Sequence, residues 1–368
     1  MIKVLVVDDS VVIRRLVSDL LAADPDIEVV GTAVNGRAGV EKVAALGPDL
    51  VTMDIEMPEV DGIEAVRRIR ATGNRVPVIM FSTLTERGAV ATLDALAAGA
   101  SDYVAKPANV GSVGRSMEQV RDALIPRIKS LVPHHRAARL GATAPPVVPT
   151  REAPPTALRP PRPAPVGGHR VVLVGSSTGG PEALGALLAA LPPLPVPVVV
   201  VQHMPPLFTR QLAARLDRNV AARVVEAEHG QPLLPGTVTI APGDQHLHVT
   251  GRPGRLTARL SQEPPENYCR PAVDVLFRSA VEAVGGAALG VVLTGMGQDG
   301  CRGAQLLVDA GGSVLAQDQA SSVVWGMPGA IAGAGLAEQV LPLTDIAPEL
   351  VRRLSPRRAA VPAAGAHR

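Results

Sequence analysis

Two groups of residues in this chain have the types and spacing to do chemistry. The first is spread over the N-terminal third: Asp8 and Asp9, then Asp54, then Ser82, then Lys106 followed by Pro107. Each stands directly after a short run rich in Val, Ile, Leu or Met, the composition of a buried parallel strand. Ligands of open parallel sheets gather outside the carboxyl ends of the strands, so such a sheet would deliver all of these side chains to one edge. Three carboxylates at one edge repel each other and call for a cation, and hard oxygen donors favour Mg²⁺. With that charge balanced, Asp54 is a nucleophile toward a phosphoryl group, and Lys106 and the Ser82 hydroxyl are placed to meet the new oxygens. An Asp after a strand also caps the next helix. It is the set at corresponding strand ends that points to chemistry.

The second group begins at Gly175-Ser176-Ser177-Thr178-Gly179-Gly180, which follows a buried strand and precedes Pro181, a residue suited to a first helical turn. Gly, any residue, Ser, any residue, Gly is the pattern of a nucleophile elbow, with helix N–H groups available to an oxyanion. A phosphate-cradling loop fits less well, because no Lys follows the glycines, and a glycine-rich turn without chemistry is the third reading. A serine nucleophile needs a base. His203, in Gln202-His203-Met204-Pro205, ends the next apolar strand; His229, His246 and His248 compete with it. The last two alternate along a strand expected to be exposed, with no further metal ligand beside them, which argues against zinc. Asp299 follows another buried strand and would either orient the base or cap a helix. Cys301, two residues on, has no base placed for it and reads as a small buried residue. The order Ser, His, Asp departs from that of α/β-hydrolases.

The elements that must position these groups are legible as alternation. Short apolar runs and amphipathic stretches alternate from Ile2 to about Leu131, giving five β/α units of an open, doubly wound parallel sheet, a flavodoxin-like arrangement. The alternation resumes at His169. The second unit is expected to be α/β with a mainly parallel sheet and a β-hairpin or meander formed by Thr237 to Ile240, His246 to Val249 and Leu256 to Leu260. Between the two, proline crowds among small residues and arginines, so residues 1–125 and 169–354 are expected to be domains, 126–168 a flexible linker and 355–368 a disordered tail.

Composition narrows the function. The 368 residues are 46% hydrophobic and 19% charged, enough for two cores. A net charge of +2 and six aromatic residues suit neither a polyanion site nor base stacking, and no basic recognition helix is found, so nucleic acid is excluded as partner. Two cysteines fit a reducing compartment. Without a signal peptide pattern or an 18-residue apolar stretch, the expectation is a cytoplasmic protein that does not insert in membranes.

The residues Asp8, Asp9, Met53-Asp54-Ile55-Glu56-Met57-Pro58, Asp61-Gly62, Ser82 and Lys106-Pro107 resemble a response-regulator receiver domain. That resemblance implies phosphorylation of Asp54 by a histidine kinase, Mg²⁺ held by Asp9 and Asp54 with the Glu56 backbone and help from Asp8, and switch roles for Ser82 and Tyr103 beside Lys106. The second unit, through Gly175 to Gly180, Gln202 to Pro205, Arg270 to Phe277, Thr294 to Gly300 and Gln317-Asp318 with Gly326-Met327-Pro328, resembles the catalytic domain of chemotaxis protein-glutamate methylesterases. The family's triad then falls on Ser177, His203 and Asp299, with backbone N–H groups of Thr178 and Met296 at the oxyanion and no cofactor for the ester chemistry. Gln298 stands where Asn is usual and Trp325 where Phe is usual. The resemblance implies hydrolysis of glutamyl methyl esters on chemoreceptors, with glutamine deamidation as a second activity. The rival is a non-catalytic signalling adaptor, which would tolerate loss of Ser177. A long tether would also keep the receiver near the Ser177 cleft, giving the expectation that it covers the site until phosphorylated.

Overall fold

The computed structural model describes residues 1–106, 113–139, 158–160, 165 and 168–355, with 113–117 and 133–139 as helix backbone. The N-terminal sheet contains β1 (Ile2–Val7), β2 (Ile27–Ala33), β3 (Leu50–Asp54), β4 (Val78–Ser82) and β5 (Asp102–Ala105). They lie in the order β2-β1-β3-β4-β5 and all pair in parallel. β3 and β4 are buried at every residue, which is why they read as unbroken apolar runs rather than as alternation. Around them wrap α1 (Val11–Ala22), α2 (Gly36–Leu46), α3 (Gly62–Ala71), α4 (Glu86–Ala97) and α5 (Val113–Arg139). Ser10, Asn35, Asp61 and Thr85 cap the first four through their side-chain oxygens.

The helix α5 continues through 126–139, where the sequence places the start of a linker. Pro126 and Pro133 suggest a break, but Ile128, Leu131 and Val132 are buried against the sheet, and Lys129 pairs with Asp24 and Asp26 at 2.9 and 2.8 Å. That apolar face offsets the roughly 3 kcal/mol that a helix-interior proline costs. The rest of the expected linker falls largely, and the tail from 356 wholly, outside the described residues.

The C-terminal unit holds a seven-stranded, all-parallel sheet in the order β14-β13-β12-β6-β7-β9-β8. Its strands are β6 (Val171–Ser176), β7 (Val198–Gln202), β8 (Arg223–Glu226), β9 (Thr237–Ile240), β12 (Ala288–Val292), β13 (Ser313–Gln317) and β14 (Gln339–Leu341), and β10 (His246–Arg252) with β11 (Arg255–Ser261) forms a separate antiparallel hairpin. Thr237–Ile240 therefore belongs to the parallel sheet and not to the expected meander. The helices are α6 (Gly180–Ala189), α7 (Pro206–Asn219), α8 (Val273–Val284), α9 (Cys301–Asp309), α10 (Met327–Gly333) and α11 (Leu343–Leu354). No helix among the described residues is long and apolar enough to cross a membrane.

The two units pack on each other. A continuous buried cluster runs from Leu93 and Leu96 of α4 to Leu184 of α6 and to Leu212 and Leu216 of α7. Tyr103 on β5 stacks on Phe208 of α7 with ring centroids 4.7 Å apart and planes 7° from parallel. Arg215 and Asp94 form an ion pair across the contact, and the Thr178 hydroxyl donates to Asp102 at 2.8 Å.

Candidate active site

At the carboxyl edge of the N-terminal sheet, carboxylate oxygens of Asp8, Asp9 and Asp54 lie within 4.8 Å of one another. Lys106 reaches over them, its Nζ 2.7 Å from Asp54 and 3.2 Å from Asp8. Burial pushes the Asp54 carboxyl up to about 6 against the pull of that ammonium. Burial works the other way on Lys106, but Asp54 and Asp8 outweigh it and hold its pKa above the ordinary lysine value. A cavity of about 230 Å³ opens here, lined among others by Asp9, Asp54, Glu56, Ser82 and Lys106. Three carboxylates against one ammonium leave negative charge unbalanced, and an all-oxygen donor set beside open volume suits a small hard cation. The Ser82 hydroxyl points away from Asp54: it donates to Gly88 O at 3.1 Å and accepts from Thr92 at 2.6 Å. Tyr103 is turned outward onto Phe208, and burial raises its phenol pKa.

The second group converges at the carboxyl edge of the C-terminal sheet, where the central strands β12, β6 and β7 lie side by side. Ser177 directly follows β6 and its N–H donates to Thr294 O at 3.0 Å; His203 directly follows β7 and its N–H donates to Ser176 O at 3.1 Å. Gln202 ties the two ends together, accepting from the Ser176 hydroxyl at 2.7 Å and donating to Ser177 O at 3.0 Å. The turn must be glycine-rich. Gly179 sits at φ +75°, and a Cβ on Gly180 would lie 1.9 Å from Gln202 Oε1.

His203 Nε2 and Asp299 Oδ2 are 2.8 Å apart, so the base and its orienter are brought together. Asp299 accepts further bonds from Val273 N (2.6 Å), Asp274 N (3.1 Å), Gly300 N (3.0 Å) and Asn267 Nδ2 (2.8 Å). Burial opposes its charge, but His203 and the backbone donors outweigh burial and hold its carboxyl below the usual range. For His203 the balance is similar: burial would lower its pKa, yet Asp299 and then Cys269 push it up to about 10. Nδ1 faces the Cys269 sulfur at 3.6 Å, and the Ser177 hydroxyl makes no hydrogen bond to His203 or to any other described residue. Serine and histidine thus share an edge without being joined. Nor do the N–H groups of Thr178 and Met296 donate to any described group, which leaves two donors free beside Ser177.

The competing histidines are accounted for elsewhere. His246 and His248 are buried, contrary to the expected exposure of their strand, and serve the hairpin: His246 bonds Ala272 N and Pro264 O, while His248 bonds Ser261 and Arg259. His229 accepts from Leu260 N. Cys301 lies against Ala330 O, away from any base, whereas Cys269 was not anticipated from sequence. Asn267 was also missed, and its one sequence signal is its place in the Glu266-Asn267-Tyr268-Cys269-Arg270-Pro271 stretch. Trp325 fills its position by donating to Gln317 O at 2.9 Å.

Comparison with known proteins places both halves. A family model described as CheB methylesterase matches residues 172–350, and one described as response regulator receiver domain matches residues 4–115. A protein-glutamate methylesterase/protein-glutamine glutaminase of Nocardioides sp. is 73% identical over 368 residues, 99% of each chain. One of the same name from Trichodesmium erythraeum is 46% identical over 96% of this chain and 99% of its own. Among solved structures, the Thermotoga maritima CheB methylesterase catalytic domain aligns at 43% identity and a TM-score of 0.49, covering 50% of this chain and 98% of that one.

Proposed function

The chain belongs to the protein-glutamate methylesterase/protein-glutamine glutaminase family with a receiver domain, and from that premise we propose that it acts through Ser177, His203 and Asp299 under the control of Asp54. The enzyme hydrolyses glutamyl methyl esters, and its family name adds deamidation of glutamine. We assign residues 169–354 to the catalytic domain and the sheet with α1 to α5 to the receiver. The substrates are methylated chemoreceptors, and the phosphodonor is a histidine kinase of the same signalling system.

The observation that carries the catalytic reading is the His203–Asp299 pair at 2.8 Å on the strand next to Ser177. Asp299 holds Nε2, so Nδ1 is the nitrogen that takes the serine proton. Ser177 Oγ attacks the ester carbonyl carbon, and the free N–H groups of Thr178 and Met296 receive the oxyanion. His203 returns the proton to the departing methoxide, methanol leaves, and water, deprotonated by the same histidine, cleaves the acyl-serine to give glutamate. With glutamine as substrate the leaving group is ammonia. The Asp299 carboxylate that orients the ring also stabilises the imidazolium formed when His203 takes the serine proton.

The receiver supplies the control. Asp9 and Asp54, with Asp8 and the Glu56 carbonyl, would hold Mg²⁺, which screens the acidic cluster as an anionic phosphoryl group approaches. Asp54 takes the phosphoryl group, while Lys106 and Ser82 bond its oxygens once Ser82 turns from Gly88. Ser82 and Tyr103 sit on adjacent strands, and Tyr103 and Asp102 are themselves the residues that touch Phe208 and Thr178. Met296 and Val324 of the catalytic half also pack with the receiver's core. Both oxyanion loops are therefore in contact with the receiver, and its release on phosphorylation opens the cleft. Methanol release from methylated receptor by the wild type and Ser177→Ala tests the triad. The variant should lose essentially all activity while staying folded; unchanged release would sink the triad assignment, and a wild type that releases no methanol would favour the adaptor reading.

A further inference from the structure

The chain has six aromatic residues. Phe81, Phe208 and Phe277 are buried, Tyr103 is stacked and Trp325 is hydrogen-bonded. Tyr268 alone is fully exposed, at 103% of its reference area. It stands at the tip of a two-residue turn in which Glu266 and Cys269 exchange both backbone bonds, at 3.1 and 2.9 Å. Asn267 and Tyr268 both have positive φ, +52° and +62°. Turns of this kind favour Asn followed by Gly. A bulky residue in the second place is a backbone outlier, and strain of this sort is retained where function uses it. Folding does not explain this tyrosine, since its ring buries nothing and its backbone would be easier as glycine.

The turn is also rigidly tied to the triad. Asn267 Nδ2 donates to Asp299 at 2.8 Å and to Asp274 at 2.9 Å. Glu266 takes both guanidinium nitrogens of Arg278, at 3.1 and 2.8 Å. Cys269, the next residue, faces His203. A strained, anchored turn thus holds an aromatic ring in solvent at the rim of the catalytic cleft, on a side the receiver leaves open. Large rings with few rotatable bonds are effective anchors for a polypeptide partner.

We propose that Tyr268 is a specificity-determining residue, its ring packing on apolar side chains that flank the esterified glutamate of the receptor. The inference rests on the esterase reading and adds to it how a protein substrate is distinguished from a small ester. The test uses the full chain with phosphodonor, comparing wild type, Tyr268→Gly and Tyr268→Phe on methylated receptor and on a blocked glutamate γ-methyl ester. For Tyr268→Gly, KM for the receptor should rise about tenfold, and the preference for receptor over small ester, as a ratio of kcat/KM values, should fall by the same factor. Tyr268→Phe should restore both to within about twofold. The glycine variant should melt no lower than the wild type, because it relieves the positive φ. An unchanged KM, a parallel loss on both substrates, or a phenylalanine variant as impaired as the glycine one would overturn the proposal. A wild type that releases no methanol from receptor would instead overturn the esterase reading itself.

Discussion

Asp299→Asn exchanges one oxygen of a carboxylate that accepts five hydrogen bonds for an NH₂ group. Placed toward Asn267, Asp274 N and Gly300 N, that group would face three donors. Placed toward His203 and Val273 N, it faces one fixed backbone donor and a ring that can change tautomer, so this is the orientation the variant adopts. Val273 N is then orphaned in a buried site, a cost of about 1–3 kcal/mol. The ring meets an N–H donor by presenting a bare Nε2, which moves its proton to Nδ1, the nitrogen that must accept from Ser177. A wrong-tautomer base costs on the order of 10⁴ in kcat in serine hydrolases. Methanol release at saturating receptor measures the rate, and denaturant unfolding measures the stability. A variant within tenfold of wild-type kcat would refute the orientation argument, whatever its stability.

Other outcomes follow from the same geometry. Cys269→Ser removes one of the two groups that raise His203; because the base works deprotonated, the acid limb of kcat/KM should move to lower pH, by about one unit, and a shift to higher pH would contradict the assignment. Tyr103→Ala deletes the stack on Phe208, worth about 0.5–1.5 kcal/mol, so methanol release without phosphodonor should rise about two- to tenfold; Arg215→Ala, breaking a partly exposed pair, should change it less. Removing Mg²⁺ with a chelator should abolish labelling of the wild type by acetyl phosphate, and Asp54→Asn should accept no label at any Mg²⁺ concentration.

The strand-end residues were legible because the chemistry is written in one dimension: an apolar run, then the polar side chain it delivers. Asp54, Lys106, Ser177 and His203 obey that rule, whereas Asp299 lies in the glycine-rich turn between β12 and α9. What the sequence hides is whatever depends on distant pairing. Asn267 meets Asp299 across 32 positions and Asp102 meets Thr178 across 76, and no local pattern announces either contact. β9 misled for a different reason. Its Thr237-Val238-Thr239-Ile240 alternates like a half-exposed strand, yet Thr239 is wholly buried in the parallel sheet. Helix α11 runs unbroken through Pro348, because Ile346, Ala347 and Leu350 bury one face. α5 outran its expected end for the same reason, a proline outweighed by the apolar face around it.

The central claim is that phosphorylation of Asp54 uncovers a serine esterase in the same chain. Methanol release from methylated receptor, followed before and after adding acetyl phosphate with Mg²⁺, tests it in wild type, Asp54→Asn and Ser177→Ala. The account predicts at least a tenfold rise in the wild type, by relief of a contact worth about 1.4 kcal/mol or more, no response in Asp54→Asn, and no release at all from Ser177→Ala. Equal stimulation of Asp54→Asn, or methanol release that survives the loss of Ser177, would contradict it.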